Sequence, residues 1–266
     1  RPRTWAMVLM LVAALGLLTF IVEWDQRQER LPVDWRTEVQ SRLDSDKQAL
    51  RDIPDSDTEG RQYFTEQIAK NEYALAHDIN PKAPTLWDIT GQSASMLILI
   101  TMLTVVVAAD MIAAEFQWGA VKLLLIRPVS RTKILFAKYV ATLQFALLLA
   151  VLSLVLSFLL GATMEGFGGI GQPELYVAAD GTVHERAMIG SVLRDYGLNS
   201  VQLIMYVTFA FMISAAFRSS SMAIGFSLLF LLVGNTIVAI LSQYDWVKYT
   251  LFANVDLSPY VNGGSP

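Results

Sequence analysis

The stretch Ala113–Lys133, AAEFQWGAVKLLLIRPVSRTK, lies between two long apolar runs and decides how the rest of the chain is read. At about 100° per residue, Glu115, Gly119 and Lys122 fall on one narrow stripe of a helix. Phe116, Trp118, Val121, Leu123, Leu124 and Leu125 cover most of the remaining surface. This pattern predicts an amphipathic helix lying in or just under a membrane surface. Pro128 ends it, because proline lacks an N–H and drives Arg127 out of the helical region. Ser130 is placed to cap the next helix, and Arg131 and Lys133 lead into the next apolar run. The simplest reading is a connector whose basic residues only hold topology, as the positive-inside rule expects.

The composition fits a membrane protein: 266 residues, 54% hydrophobic and 17% charged, with a mean hydropathy of +0.44. The absence of cysteine excludes disulfides and thiolate metal or redox sites. Residues 5–22 carry no charge and are about long enough to span, with Arg1 and Arg3 before them. A signal peptide is the competing reading, but Glu23-Trp24-Asp25 follows where a small-residue cleavage site would stand.

Residues 23–88 hold 9 Lys/Arg and 15 Asp/Glu. Val39, Leu43, Leu50 and Ile53 recur near helical spacing, and Phe64, Ile68, Leu75 and Ile79 repeat the pattern. A helical hairpin is expected, closed by Pro81 and Pro84. Further spans are expected at 89–112, 134–161, 200–217 and 222–242, with Lys138 near the start of the third able to snorkel. Residues 162–199 read as a polar loop whose Gly-Phe-Gly-Gly-Ile-Gly (166–171) lacks the Gly-Lys-Ser/Thr of a nucleotide-binding P-loop. Residues 243–266 read as a polar and aromatic segment. The fold class is thus an all-α integral membrane protein with five transmembrane helices and an extracytoplasmic helical hairpin after the first.

Charge sets the orientation. Segments 1–4, 110–138 and 218–221 carry eight basic residues against Asp110 and Glu115, leaving 12 of the 20 basic and 22 of the 24 acidic residues on the other side. A cytoplasmic amino terminus follows.

Catalytic chemistry finds no support. His77 and His184 lie in separate polar loops, and no metalloprotease, nucleophile-elbow or Walker motif is present. Thr101, Thr104, Gln144, Ser153, Ser157, Gln202, Thr208, Ser214, Ser227 and Asn235 are the mild polar residues of the spans. Apart from Asp110 and Lys138 near span ends, none is ionisable, so an energy source outside the chain is expected. Gln144 and Asn235 read as helix–helix hydrogen-bonding groups or as a substrate lining.

One metal reading competes in the hairpin. Asp55, Asp57, Glu59 and Glu66 occupy positions 1, 3, 5 and 12 of an EF-hand spacing, with Gly60 at position 6. Glu59 is long for position 5, and Gln62 stands at position 8 where an apolar residue belongs. The alternative is a capping box, Ser56 with Glu59, opening the second helix of the hairpin with no metal.

Glu115, Gly119, Lys122, Leu123, Pro128, Ser130, Arg131 and Lys138 resemble the E…G…K-x-L…P-x-S-R…K signature of type-2 ABC transporter permeases. Ala120 departs from the threonine that often follows the glycine. The resemblance implies a bacterial plasma-membrane permease that exports antibiotics, peptides, lipids or sodium. It implies a cytosolic ATPase partner holding ATP and Mg, a second permease subunit, and surrounding lipid, with no nucleic acid. Glu115, Gly119, Lys122, Arg127, Pro128, Arg131 and Lys133 would then form the coupling region. Six spans are usual there, so a sixth is expected beyond Pro266. A membrane sensor or scaffold with an outer ligand-binding domain is the alternative. The topology is testable in intact cells, because the chain has no native cysteine. Ser45→Cys and Thr182→Cys are expected to react with an impermeant thiol reagent and Ser130→Cys is not; the reverse labelling would invert the orientation.

Overall fold

The structure is a computed structural model that describes residues 2–29, 34–81, 83–119, 130–178, 180–217, 219–241, 244, 246–250, 252–255 and 257. In chain order it has α1 (Pro2–Glu29), α2 (Trp35–Asp52), α3 (Thr58–Ala76), α4 (Leu86–Ser95), α5 (Leu97–Gln117) and α6 (Arg131–Glu165). Strands β1 (Pro173–Val177) and β2 (Val183–Ala187) follow, then α7 (Met188–Ala216), α8 (Ser220–Leu241) and two 3-10 turns at Val247–Tyr249 and Phe252–Asn254. Among the described residues four helical stretches are long and apolar enough to cross a membrane: Trp5–Trp24, Leu86–Gln117, Arg131–Glu165 and Met188–Ala216. Ser220–Gly234 is a shorter apolar stretch of α8. The chain has the make-up of a predominantly helical membrane protein.

Two compact units are present, one of residues 1–16, 90–157 and 193–266, the other of residues 17–89 and 158–192. In the first, α5 packs along α8. Its core mixes Leu97, Ile100 and Val105 with small residues, Ala108, Ala109, Ala146, Ala210 and Ala223, all buried. Small side chains let helix backbones approach where lipid supplies no hydrophobic drive of its own. Buried Tyr196 joins three helices: its hydroxyl lies 2.6 Å from Ser93 Oγ on α4 and 3.4 Å from Ser153 Oγ on α6. Phe252 stacks on Phe230 at 5.5 Å. Gly234 lies under the same ring, where a Cβ would come within 3.0 Å of it.

In the second unit α2 and α3 form the expected helical hairpin, with Val39 and Leu43 buried as their spacing predicts. The capping differs from expectation. Asp57, not Ser56, is the N-cap of α3, its carboxylate accepting from Gly60 N at 2.9 Å. The calcium loop is not formed. The chain turns helical at Thr58, so Glu66 stands about 13 Å along the helix axis from Asp57. Asp55 pairs with Arg61 at 3.1 Å, Glu66 accepts from Gln62 at 3.0 Å, and the side chain of Glu59 lies outside the described residues. Among the described residues no group of three or more His, Asp or Glu side chains could hold a metal.

The expected loop 162–199 and the strictly all-α reading need correction as well. This region contains the end of α6, an antiparallel two-stranded ribbon and the first three turns of α7. The turn explains the ribbon. Gly181 takes φ +81, which glycine adopts without steric cost, and Asp180 precedes it. The Asp180 carboxylate accepts from Thr182 Oγ1 at 2.7 Å and Thr182 N at 3.0 Å, and these bonds hold it below the usual aspartate range. Tyr176 and Val177 pair with His184 and Val183 across the ladder. Glu174 pairs with Arg186 at 2.7 Å, and the Arg186 guanidinium lies over the Tyr176 ring. Helix α3 packs against both strands, with Tyr73 donating to Glu185 at 3.2 Å. The carboxylate beside it and local desolvation raise the Tyr73 phenol above its ordinary value, desolvation being the larger cause.

The caps make distinct predictions for the full-length chain. Asp57→Ala is expected to weaken the first turn of α3 by about 1 kcal/mol, read as faster hydrogen exchange of amides 58–61, and Ser56→Ala to leave it unchanged. Equal effects of the two substitutions would return the cap to Ser56.

Candidate functional site

The site is built on the last two turns of α5. Helix α5 stops at Gln117. Trp118 N donates to Ala114 O at 2.9 Å, Gly119 N donates to Phe116 O at 3.2 Å, and Gly119 takes φ +71. A left-handed residue just past the last turn is the usual glycine stop of a helix. The expectation of one helix through 113–127 is therefore overturned, because Gly119 ends α5. Glu115 lies in the last turn of α5 and Gly119 just past its end. Lys122, Arg127 and Pro128 lie outside the described residues, as do Ala120 and Leu123.

Within residues 110–117 the polar groups of α5 reach three other helices. Glu115 forms an ion pair with Lys138 of α6. The ammonium also lies 3.4 Å from Met111 O. Lys138, whose stem is long enough to snorkel, turns back to α5 instead. The two side chains are 18% and 28% exposed, so the pair is only partly screened by solvent. Asp110 accepts a hydrogen bond from Ser220 Oγ, and Gln117 Oε1 accepts from Ser220 N at 3.3 Å, which fastens the start of α8. Buried Ser214 of α7 accepts from Ile112 N at 3.0 Å and Ala113 N at 3.1 Å. Four helix ends thus meet through side chains that a low-dielectric setting makes costly to leave unpaired.

The remaining coupling candidates stand beside this hub. Ser130 O receives Lys133 N at 3.1 Å and Ile134 N at 3.3 Å, the N-cap position of α6. Arg131 and Lys133 are exposed in its first turn, and no ion pair engages them among the described residues. Two cations at a helix N-terminus oppose the macrodipole, so nothing in the helix itself favours them there. Phe116, Trp118, Leu135 and Phe136 are exposed nearby and form an apolar and aromatic rim. Sequence spacing missed the Glu115–Lys138, Asp110–Ser220 and Ser214 contacts. Their only signal was that these polar residues stand at the ends of apolar runs.

Residues 59–266 match a family described as protein of unknown function (DUF2705). The chain belongs to this family. It is similar to uncharacterized protein YhcI of Bacillus subtilis (strain 168), with 37% identity over 266 residues, covering 99% of this chain and 83% of that protein. It is also similar to uncharacterized membrane protein YdbK of the same organism, with 28% identity over 171 residues, 64% of this chain and 65% of that protein. No solved structure matches the chain. The family match includes every residue of the hub.

Removing one partner of the hub's ion pair strands the other charge. With both side chains partly exposed, the cost is expected at roughly 1–3 kcal/mol, below that of fully buried pairs. Thermal unfolding in detergent of Glu115→Gln, Lys138→Met and the double variant measures the coupling. The double variant is expected to be more stable than the sum of the single losses. Strict additivity would show the pair to be energetically idle.

Proposed function

We propose that this chain is the transmembrane permease subunit of an ATP-driven exporter of the type-2 ABC kind. In this reading it couples ATP hydrolysis by a separate cytosolic subunit to efflux of a small molecule, peptide, lipid or ion. The observation that carries the reading is the hub. Glu115 and Lys138, distant in sequence and both part of the permease-like signature, form an ion pair at the point where α5 to α8 are tied together. A push on the chain between α5 and α6 would be felt by all four helices through these bonds.

The chain itself is assigned no catalytic residue. ATP and Mg belong to the partner ATPase, which would meet the segment 113–133 from the cytoplasm. Arg131 and Lys133, exposed beside the hub, are given the role of pairing with acidic groups of that partner or with anionic lipid. The topology of the reading has five spans, α8 being the fifth, an amino terminus inside, and the α2–α3 hairpin and the β ribbon outside. A second permease subunit completes the path, since five helices are too few to enclose one.

A membrane sensor or scaffold is the second reading. It is favoured by the hairpin-and-ribbon unit, which has its own folded core for binding a ligand. A neighbouring gene for an ATPase supports the exporter, and one for a histidine kinase alone supports the sensor.

The exporter reading predicts co-purification with an ATPase encoded beside the gene and permease-dependent ATP turnover in vesicles. Arg131→Glu is expected to lower that turnover several-fold while leaving the chain folded. No ATPase partner, or turnover indifferent to Arg131→Glu and to Lys133→Glu, would remove the coupling role.

A further inference from the structure

Most polar side chains of the apolar helices are satisfied within the chain. Thr101, Thr104, Thr142, Thr208 and Ser227 each donate to a carbonyl four residues back on their own helix. Gln144 has no such outlet. It is exposed on α6, makes no hydrogen bond among the described residues, and lies six residues past Lys138, about 9 Å along the helix axis. Some twenty residues of α6 continue beyond it before the next charge, Glu165. If the Lys138 ammonium marks the edge of the hydrocarbon, the amide sits about a third of the way across a bilayer core of roughly 30 Å. Acyl chains offer it neither donor nor acceptor, and an unpaired amide in such a medium is strongly disfavoured.

The surface around the amide has a regular form. Ala137, Ala141, Gln144, Leu148, Val151 and Val155 are all exposed, and their spacing alternates 4 and 3. That is the a/d repeat of a left-handed helix pair, sustained for five turns of one helix face. Its first two members are small and four apart, the spacing that lets two helix backbones approach. Exposed faces of α1 (Leu9, Met10, Leu17) and α8 (Leu229, Leu232, Ile240) carry apolar residues suited to lipid. Gln202 of α7 is half-buried within its unit, unlike Gln144.

We propose that this face of α6 is the contact through which two copies of the chain pair in the membrane, with the two Gln144 side chains exchanging hydrogen bonds across a two-fold axis. A second copy is the occupant that the chemistry selects. A carboxamide carries donor and acceptor together, so it is its own complement when related by a two-fold. Two same-handed a/d seams interlock in the same register that brings the amides together, and one polar residue in such a seam fixes that register. The inference deepens the pairing named in the exporter reading and rests on that reading for its purpose. The two fail separately, because the contact requires only membrane residence.

Single cysteines in the full-length chain in native membranes test it, with no native cysteine to interfere. Under oxidation, Ala141→Cys, Leu148→Cys and Val151→Cys are expected to give a dimer band whose mass is two copies of the chain. Leu9→Cys and Leu232→Cys are expected to give none. Bands at Leu9 or Leu232 with none on the seam would move the second copy to another face and overturn the proposal. So would an absence of bands on the seam, which would leave the face to lipid, or an adduct with a different protein. Separately, Gln144→Leu is expected to raise the dimer dissociation constant, measured by energy transfer on dilution in vesicles, by roughly three- to tenfold. Gln144→Asn is expected to recover part of the affinity. An unchanged constant for Gln144→Leu would overturn the role of the amide. Seam crosslinks with no ATPase partner would retain the dimer and reject the exporter.

Discussion

A polar group that enters a low-dielectric helix bundle must find its partner inside the protein, and the last two turns of α5 are arranged around that constraint. Asp110, Glu115 and Gln117 are long-reaching or charged, and each is engaged by a group on α6 or α8. Lys138 had two ways to satisfy its ammonium. Its four-carbon stem could carry the charge out to water, or it could turn to Glu115 and the carbonyl of Met111. The structure takes the second, with the amine mostly covered. An exposed pair would be worth little, but partial burial raises the attraction and makes each charge depend on the other. The ends of four helices are held by such bonds, with buried Ala108, Ala109, Ala210 and Ala223 close beside them.

Gly119 sets the other half of this arrangement. With φ at +71 it stops α5 directly after the hub, so the helix cannot carry its polar residues further along one stripe. A rigid rod through 113–127 would have transmitted motion along its own axis. A helix that stops, tied sideways to α6, α7 and α8, transmits motion across the bundle. In the exporter proposed above, that difference decides which helices respond when the cytoplasmic segment is pushed.

The parts of this fold that depend on local pattern were legible in the sequence, and the parts that depend on distant contacts were not. Uncharged runs of about twenty residues marked α1, α5, α6 and α7 as helices long and apolar enough to cross a membrane, because length and apolarity are themselves the physical requirement. Val39 and Leu43 marked the buried side of the hairpin by spacing alone. The ribbon was missed because Pro173–Val177 and Val183–Ala187 carry charges on both strands, and a polar loop explains the same letters; the Asp180-Gly181 turn was the available signal. Helix α7 starts at Met188, twelve residues before the expected span, because Arg194 and Asp195 obscure an apolar series that runs from Ile189 through Val192 and Tyr196. Asp57 rather than Ser56 caps α3, a one-residue distinction that only backbone geometry decides. The Glu115–Lys138 pair joins residues on two helices, and nothing in the spacing of a single helix records it.

The polar residues of the spans divide by what their side chains can reach. A serine or threonine hydroxyl bends back to a carbonyl of its own helix, so Thr101, Thr104 and Ser227 can sit on a packed face without requiring anything of the neighbour. Such residues carry little information about which helices meet. A hydroxyl that reaches another helix does carry it: Ser214 receives two amides of α5, and Tyr196 gathers Ser93 and Ser153. The carboxamide of Gln144 holds two donors and a carbonyl at the end of a longer stem, and no carbonyl of α6 takes them up. Its demand is larger than a hydroxyl's and is directed outward. Where the inward hydroxyls fix the packing of one chain, the outward amide points to packing between chains, and the same constraint that shapes the hub governs both.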